Sequence, residues 1–191
     1  MIKNLISDEL IVAKAAVLAN KFGVNNLTLK MLASELNIKS PSLYNHVSGL
    51  DEIKQRLMIY GWRKVKTMMA EASLGTSGYD ALRTMCFTFF EYGVNNKGVF
   101  SAMFWYDQYE CEEVKSAIKG TYNLLFATMK SSLNMSENDI NNAIMTIRSF
   151  LEGFVFLNNN GFFDATETLK ESFEMSLETI IKGIKTLERE K

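Results

Sequence analysis

Between Thr28 and Lys54 the sequence concentrates short hydrogen-bond donors: Thr28, Lys39, Ser40, Ser42, Tyr44, Asn45, His46 and Lys54. Hydroxyl and ammonium groups of this kind suit anionic oxygens such as phosphates. Asn45 carries donors and an acceptor on one planar amide, the combination that fits a base edge, and Ser42 and His46 offer simpler versions of it. Catalysis asks for other groups. His46 is the single histidine, which removes most zinc sites and leaves a histidine-based dyad no place but position 46. Two cysteines, Cys86 and Cys111, match no metal or redox spacing. They read as buried or half-buried free thiols in a reducing compartment. The chain shows no Ser/His/Asp set and no glycine-rich phosphate loop, so an enzyme, a metal and a cofactor are all unexpected.

The elements that must position these donors follow from helix signals. Ser7 and Asp8 are N-cap types, and Ile11, Ala15, Leu18 and Phe22 mark one face of a first helix that Gly23 stops. Val24 to Leu27 is a short loop. Thr28 caps a second helix, with Leu27 spaced to staple onto Leu32. Leu29, Leu32, Ala33 and Leu36 share its inner face, and it ends at Asn37. A residue there needs the left-handed conformation, which Asn tolerates. Ser40 reads as the next N-cap, with Pro41, the only proline in the chain, at the first helical position. This third helix is about two turns long and ends at Ser48-Gly49. Leu43 and Val47 face inward, which leaves Ser42, Asn45 and His46 outward.

A fourth helix runs to about Leu74 on Leu50, Ile53, Leu57, Tyr60 and Met68. Five more follow at about 79–95, 98–106, 110–133, 137–158 and 165–188, ahead of a charged tail over 188–191. One proline in 191 residues and 47% hydrophobic content fit an all-α chain with a real core. No run nears the ~18 apolar residues of a membrane span. The densest, Val99 to Tyr106, is short and interrupted by Ser101. The N-terminus turns acidic too early for a secretory signal. A cytoplasmic protein is expected.

The net charge of −1 hides a split. Residues 1–70 carry ten basic and five acidic groups, a net +5; the rest carries 11 and 17, a net −6. A basic head on an acidic body suits nucleic-acid binding, and a solvated helix surface would produce the same bias. The layout adds to this. A short helix, a tight turn and a second short helix form a helix-turn-helix, whose second helix enters the DNA major groove. Its N-terminus at Ser40-Pro41 would face the phosphate backbone. Two helices of an ordinary bundle share this layout.

The stretch Thr28-Leu-Lys-Met-Leu-Ala33-Ser-Glu-Leu-Asn-Ile38-Lys-Ser-Pro-Ser-Leu43-Tyr44-Asn-His46-Val47 resembles the DNA-binding domain of the tetracycline-repressor (TetR) family of transcriptional regulators. The similarity covers roughly residues 8–60, and Leu43-Tyr44-x-His46-Val47 is especially similar to the tetracycline repressors. The resemblance implies a nine-helix, two-domain architecture. Residues 1–50 would form the helix-turn-helix domain, joined through the long fourth helix to an effector-binding and dimerisation domain over 51–191. It implies that Thr28 contacts a phosphate. Tyr44 would pack its ring and give its hydroxyl to a phosphate. Lys39, Ser40 and Ser42 would lie near backbone or bases, and His46 fills the usual position at the helix end. Asn37 replaces the common turn glycine. Leu50 replaces a phosphate-gripping lysine, for which Lys54, one turn on, would substitute. The implied function is a homodimeric, ligand-responsive repressor of a palindromic double-stranded DNA operator, away from membranes. A helix-turn-helix scaffold acting through protein partners is the alternative.

Beyond residue 80 the pattern is less specific. Large soft side chains accumulate: Phe87, Phe90, Met103, Phe104, Trp105, Tyr106, Phe126 and Met129, which Phe150 and Phe154 could join. They would line a pocket for a small apolar or aromatic effector, or simply fill a core. Ile140, Ile144, Ile147 and Leu151, with Leu177, Ile180 and Ile184, give two amphipathic helices suited to a four-helix dimer interface, or to closing the monomer's own core. Gly153 would allow close helix approach. Arg148 and Glu152 would pair at that interface or act as polar anchors in the pocket. The tetracycline repressors hold their drug as a magnesium complex through a histidine of the body. None stands there in this chain, so that effector is not expected.

Overall fold

The computed structural model describes residues 6–105, 108–109, 111–163 and 168–188. The first five residues, Tyr106, Asp107, the expected start of the last helix at 165 and the tail over 189–191 lie outside the described residues. Among the described residues there are nine α-helices and no strand: α1 (Asp8–Phe22), α2 (Leu29–Glu35), α3 (Ser40–Leu43), α4 (Leu50–Ala72), α5 (Gly78–Asn95), α6 (Lys97–Ala102), α7 (Glu112–Ser132), α8 (Glu137–Asn159) and α9 (Leu169–Lys185). The chain divides into two units, Met1–Trp62 with Asn96–Ala117, and Arg63–Asn95 with Ile118–Lys191. The divisions fall inside α4, between α5 and α6, and inside α7. Residues 51–62 and 96–117, expected in the effector-binding domain, thus associate with the helix-turn-helix.

In the first unit Ser7 caps α1 by accepting the Leu10 N–H at 3.2 Å. Ile11, Ala15 and Leu18 face the core, but Phe22, expected beside them, is 44% exposed because it sits on the helix's last residue, past the inner face. Gly23 ends α1 at φ 84°, and Val24–Asn26 forms a 3-10 turn where a plain loop was expected. Leu27 and Leu32 are both buried, as stapling requires. In α4, Ile53 and Leu57 are buried, and Tyr60 is half-buried. Val65 and Met69 take the inner face where Met68 was expected.

The short α6 is held at both ends within this unit. Asn20 on α1 donates its amide to Asn96 Oδ1 and accepts the Val99 N–H, both at 3.0 Å, so a side chain from another helix caps α6. At the other end, the Trp62 indole N–H donates to the Met103 carbonyl at 3.0 Å. Gly98 makes the close approach possible: a Cβ there would lie 2.0 Å from the Ala19 carbonyl oxygen. The helix stops at Ala102, short of the expected 106.

In the second unit α5, α8 and α9 pack on one another. Their centre is a phenylalanine cluster. Phe173 stacks on Phe90 with ring centroids 4.1 Å apart, and Phe87, Phe150 and Phe154 surround it at 5.3–6.1 Å. Arg83 of α5 pairs with Glu178 of α9, and the Asn159 amide of α8 donates to the Gly93 carbonyl at 3.0 Å. Ile140, Ile144, Ile147, Leu151, Leu177 and Ile184 are buried within the single chain, and Ile180 is half-buried. The helical period located an inner face correctly, but that face closes the chain's own core. The surface left on α8 and α9 carries Met145, Phe156 and Met175, all more than half exposed, and open space above Gly153 and Gly183. Arg148 and Glu152 pair with each other at 2.9 Å. No helix among the described residues is long and apolar enough to cross a membrane.

Candidate nucleic-acid interface

The helix-turn-helix is built from local rules. Thr28, in extended backbone, accepts the Met31 N–H at 3.2 Å and so starts α2. That cap uses a lone pair and leaves the hydroxyl proton to donate outward. α2 ends in a turn with two closing hydrogen bonds, Ile38 N–H to Ala33 O and Asn37 N–H to Ser34 O, each 3.0 Å. This is the Schellman arrangement, which needs a left-handed residue at its corner. Asn37 occupies it at φ 55°, the one described non-glycine residue with positive φ. The missing glycine is therefore harmless, as expected.

The start of α3 differs by one residue from expectation. Lys39 is its N-cap, without a side-chain hydrogen bond; Ser40 is the first helical residue and Pro41 the second. A missing N–H costs nothing at either position, because neither has an acceptor inside the helix. α3 is also shorter than two turns. The N–H groups of Asn45 and His46 bond three residues back, to Ser42 and Leu43, which tightens the chain into turns after Leu43. Leu43 and Val47 are buried as expected.

The predicted donors then fall into groups. Thr28, Lys39, Ser42, Tyr44 and Asn45 are exposed, and Ser40 and His46 are half-buried. Tyr44 is 59% exposed, so its ring stands in solvent where the resemblance implied that it packs. Lys54 is half-buried with its ammonium 5.3 Å above the Trp105 ring. Beside it the Tyr109 hydroxyl donates to Asp51 at 3.0 Å.

The cations of this region are unequally engaged. Lys14 pairs with Glu35, Arg56 with Asp8 and Glu52, and Lys21 lies over Phe22. Lys30 and Lys39 have no carboxylate partner among the described residues. Both border an open groove with Ser34, Asn37 and Ser40 at the turn. Lys30 was missed in the sequence because only the position of an exposed cation beside the turn distinguishes it. Arg56 was missed because its links reach back to His46 and Asp8, ten or more residues away in the sequence. Glu52 accepts the Ser48 N–H at 2.7 Å and its hydroxyl at 2.8 Å. These bonds, with Arg56 beyond them, hold its carboxyl below the usual glutamate pKa.

A family model described as the tetracyclin repressor-like C-terminal domain matches residues 82–180, just over half of the chain. The chain belongs to the TetR family of transcriptional regulators. An HTH-type transcriptional regulator of Bacillus subtilis, YobS, is 28% identical over 94% of this chain and 93% of its own length. Another, from Mycobacterium tuberculosis, is 29% identical over 85% and 75%. Among solved structures, a variant of TetR from Acinetobacter baumannii in complex with minocycline has a TM-score of 0.70 at 17% identity, covering 97% of this chain and 99% of that one. The Streptomyces coelicolor TetR regulator SCO7222 gives 0.76 at 16%, covering 96% and 100%. This TetR-family chain therefore has the helix-turn-helix plus helical C-terminal architecture of its relatives.

The expected pocket residues divide between the units. Met103, Phe104 and Trp105 lie in the first, and Phe87, Phe90, Phe126, Met129, Phe150 and Phe154 in the second. Phe87, Phe90, Phe150 and Phe154 gather around Phe173. Met129 is fully buried, and Phe126 stacks on Tyr122 at 6.0 Å. Met103 is buried, and Phe104 meets Phe100 at 4.9 Å and Trp62 at 5.9 Å.

Proposed function

We propose that the chain is a ligand-responsive repressor: a cytoplasmic homodimer that binds a palindromic double-stranded operator and leaves it when a small, largely apolar or aromatic effector binds. One observation carries the reading. Ser42, Tyr44 and Asn45 are exposed around a turn set by Asn37, and Lys30 and Lys39, without a carboxylate partner among the described residues, border the same turn. Thr28, Tyr44, Lys39 and Lys30 hold phosphates; Ser42, Asn45 and His46 face bases; Ser40 lies between the two. Lys54 would have to leave the Trp105 ring to reach a phosphate, so its contribution is the smallest. Two such heads read half-sites one DNA turn apart or multiples of it, ~34 Å.

The outward stripe of α8 and α9, Met145, Phe156 and Met175 with Gly153 and Gly183, supports the dimer contact, since the inner stripe is already buried. The aromatic and methionine side chains around Phe90 and Met129 support an apolar effector. A magnesium-bound drug is not proposed, because the only imidazole is His46. Repression follows by linkage: an effector that favours a conformation poor at binding DNA is itself bound less well by the DNA-bound dimer, by the same factor.

Selection of duplexes from a random pool tests the reading. The expected result is a palindrome whose affinity falls steeply with salt. Tyr44→Phe should weaken all duplexes alike, and Asn45→Ala should change the preferred base. A chain that enriches no duplex, or binds with no salt dependence, would sink it and favour a scaffold role with protein partners.

A further inference from the structure

Arg56, in the second turn of α4, is a cation that none of these contacts uses. Arg56 Nη2 donates to the His46 carbonyl at 3.3 Å and to Glu52 Oε1 at 2.5 Å, and Nη1 lies 3.2 Å from Asp8 Oδ2. Glu52 in turn holds both the N–H and the hydroxyl of Ser48. One guanidinium thus joins the start of α1, the chain end of the recognition turn and the first turns of α4. The planar fork of arginine lets Nη2 donate to two acceptors while Nη1 is held beside the Asp8 carboxylate as an ion pair without a hydrogen bond. Its side chain is 24% exposed, and two carboxylates offset its charge, so it is not a free phosphate donor.

The recognition element needs such an anchor. α3 is a single turn, too short to hold its own direction, and two of the three bonds after it, from the N–H groups of Asn45 and His46, are of the tighter three-residue kind. Leu43 and Val47 fix its inner side by burial. The His46 carbonyl at its end has no helical partner, and Arg56 supplies the donor. We propose that Arg56 is a positioning residue for DNA recognition: it clamps the end of the recognition turn to α4 and so sets where Asn45 and His46 meet the bases. This rests on the DNA-binding reading above.

The test uses a duplex selected from a random pool by the wild-type chain and an unrelated duplex of equal length. Affinities are measured by fluorescence anisotropy at several salt concentrations. Arg56→Gln should bind the selected duplex about tenfold more weakly, the worth of one charge-assisted hydrogen bond. Affinity for the unrelated duplex and the slope of log K against log salt should hold steady, because no phosphate contact is lost. Arg56→Lys should recover part of the discrimination. Should Arg56→Gln fail to fold, Asp8→Asn carries the question, since it removes one arm at a side chain that is 61% exposed; reduced discrimination supports the clamp and unchanged discrimination overturns it. Equal losses on both duplexes, a slope lowered by about one, or no loss at all would also overturn it. A wild-type chain that selects no duplex would remove the DNA-binding reading itself, a result separate from all of these.

Discussion

In the first unit four turns of chain are set by a side chain a few residues away or at the corner itself: Ser7 on Leu10, Thr28 on Met31, Asn37 at its corner, Glu52 on Ser48. In the second, the organising contacts join residues far apart in sequence, such as Phe90 with Phe173 and Arg83 with Glu178. Local polar rules hold a small surface in one shape, which suits a binding head. Distant apolar contacts make a core whose members are interchangeable in type, so they leave little trace of their partners in the sequence.

This contrast can be broken or sharpened by substitution. The largest effect should come from Phe173→Ala, because the ring is fully buried and meets four others. A loss of about 3–5 kcal/mol is expected, read as a lower urea midpoint. A midpoint within error of wild type would show that the cluster does not hold the unit. Gly98→Ala comes next. Its methyl would meet backbone atoms that cannot move aside, so about 1–3 kcal/mol should be lost, and hydrogen exchange at Val99 should speed up. Asn37→Val should cost about 1–2 kcal/mol through its left-handed backbone, whereas Asn37→Gly should cost nothing. Thermal melts of the pair check this; equal melting temperatures would contradict the turn argument. Least of all for stability, Met175→Glu should change the monomer fold by under ~0.5 kcal/mol. It should nonetheless shift sedimentation from dimer toward monomer, while an unchanged dimer would place the contact elsewhere.

The same contrast explains what was legible in the sequence. Caps, the left-handed Asn37 and the lone proline are local signals, so helix positions through the head came out within a few residues. Lys39 taking the cap from Ser40 is the kind of one-residue slip that such signals allow, since a proline is tolerated at either of the first two positions. The donors Thr28, Ser42 and Asn45 were readable as exposed once the inner faces were known. The links that Arg56 makes to Asp8 and His46 were not, because they span ten or more residues and leave no periodic trace. In the body the period revealed an inner stripe on α8 and α9 but not what would cover it. Ile144 on a core and Ile144 on a partner have the same spacing, and only the three-dimensional arrangement of α5 decides between them.

The two thiols fall one in each unit. Cys86 is wholly buried, and burial pushes its thiol up to about 12, which leaves almost no thiolate to react. An alkylating reagent should therefore reach Cys86 only when the second unit opens, while half-exposed Cys111 reacts from the folded chain and serves as the reference. Followed by mass in one sample, the Cys86 rate against the Cys111 rate makes the chain its own clock, timing the opening of the body as DNA or effector is added.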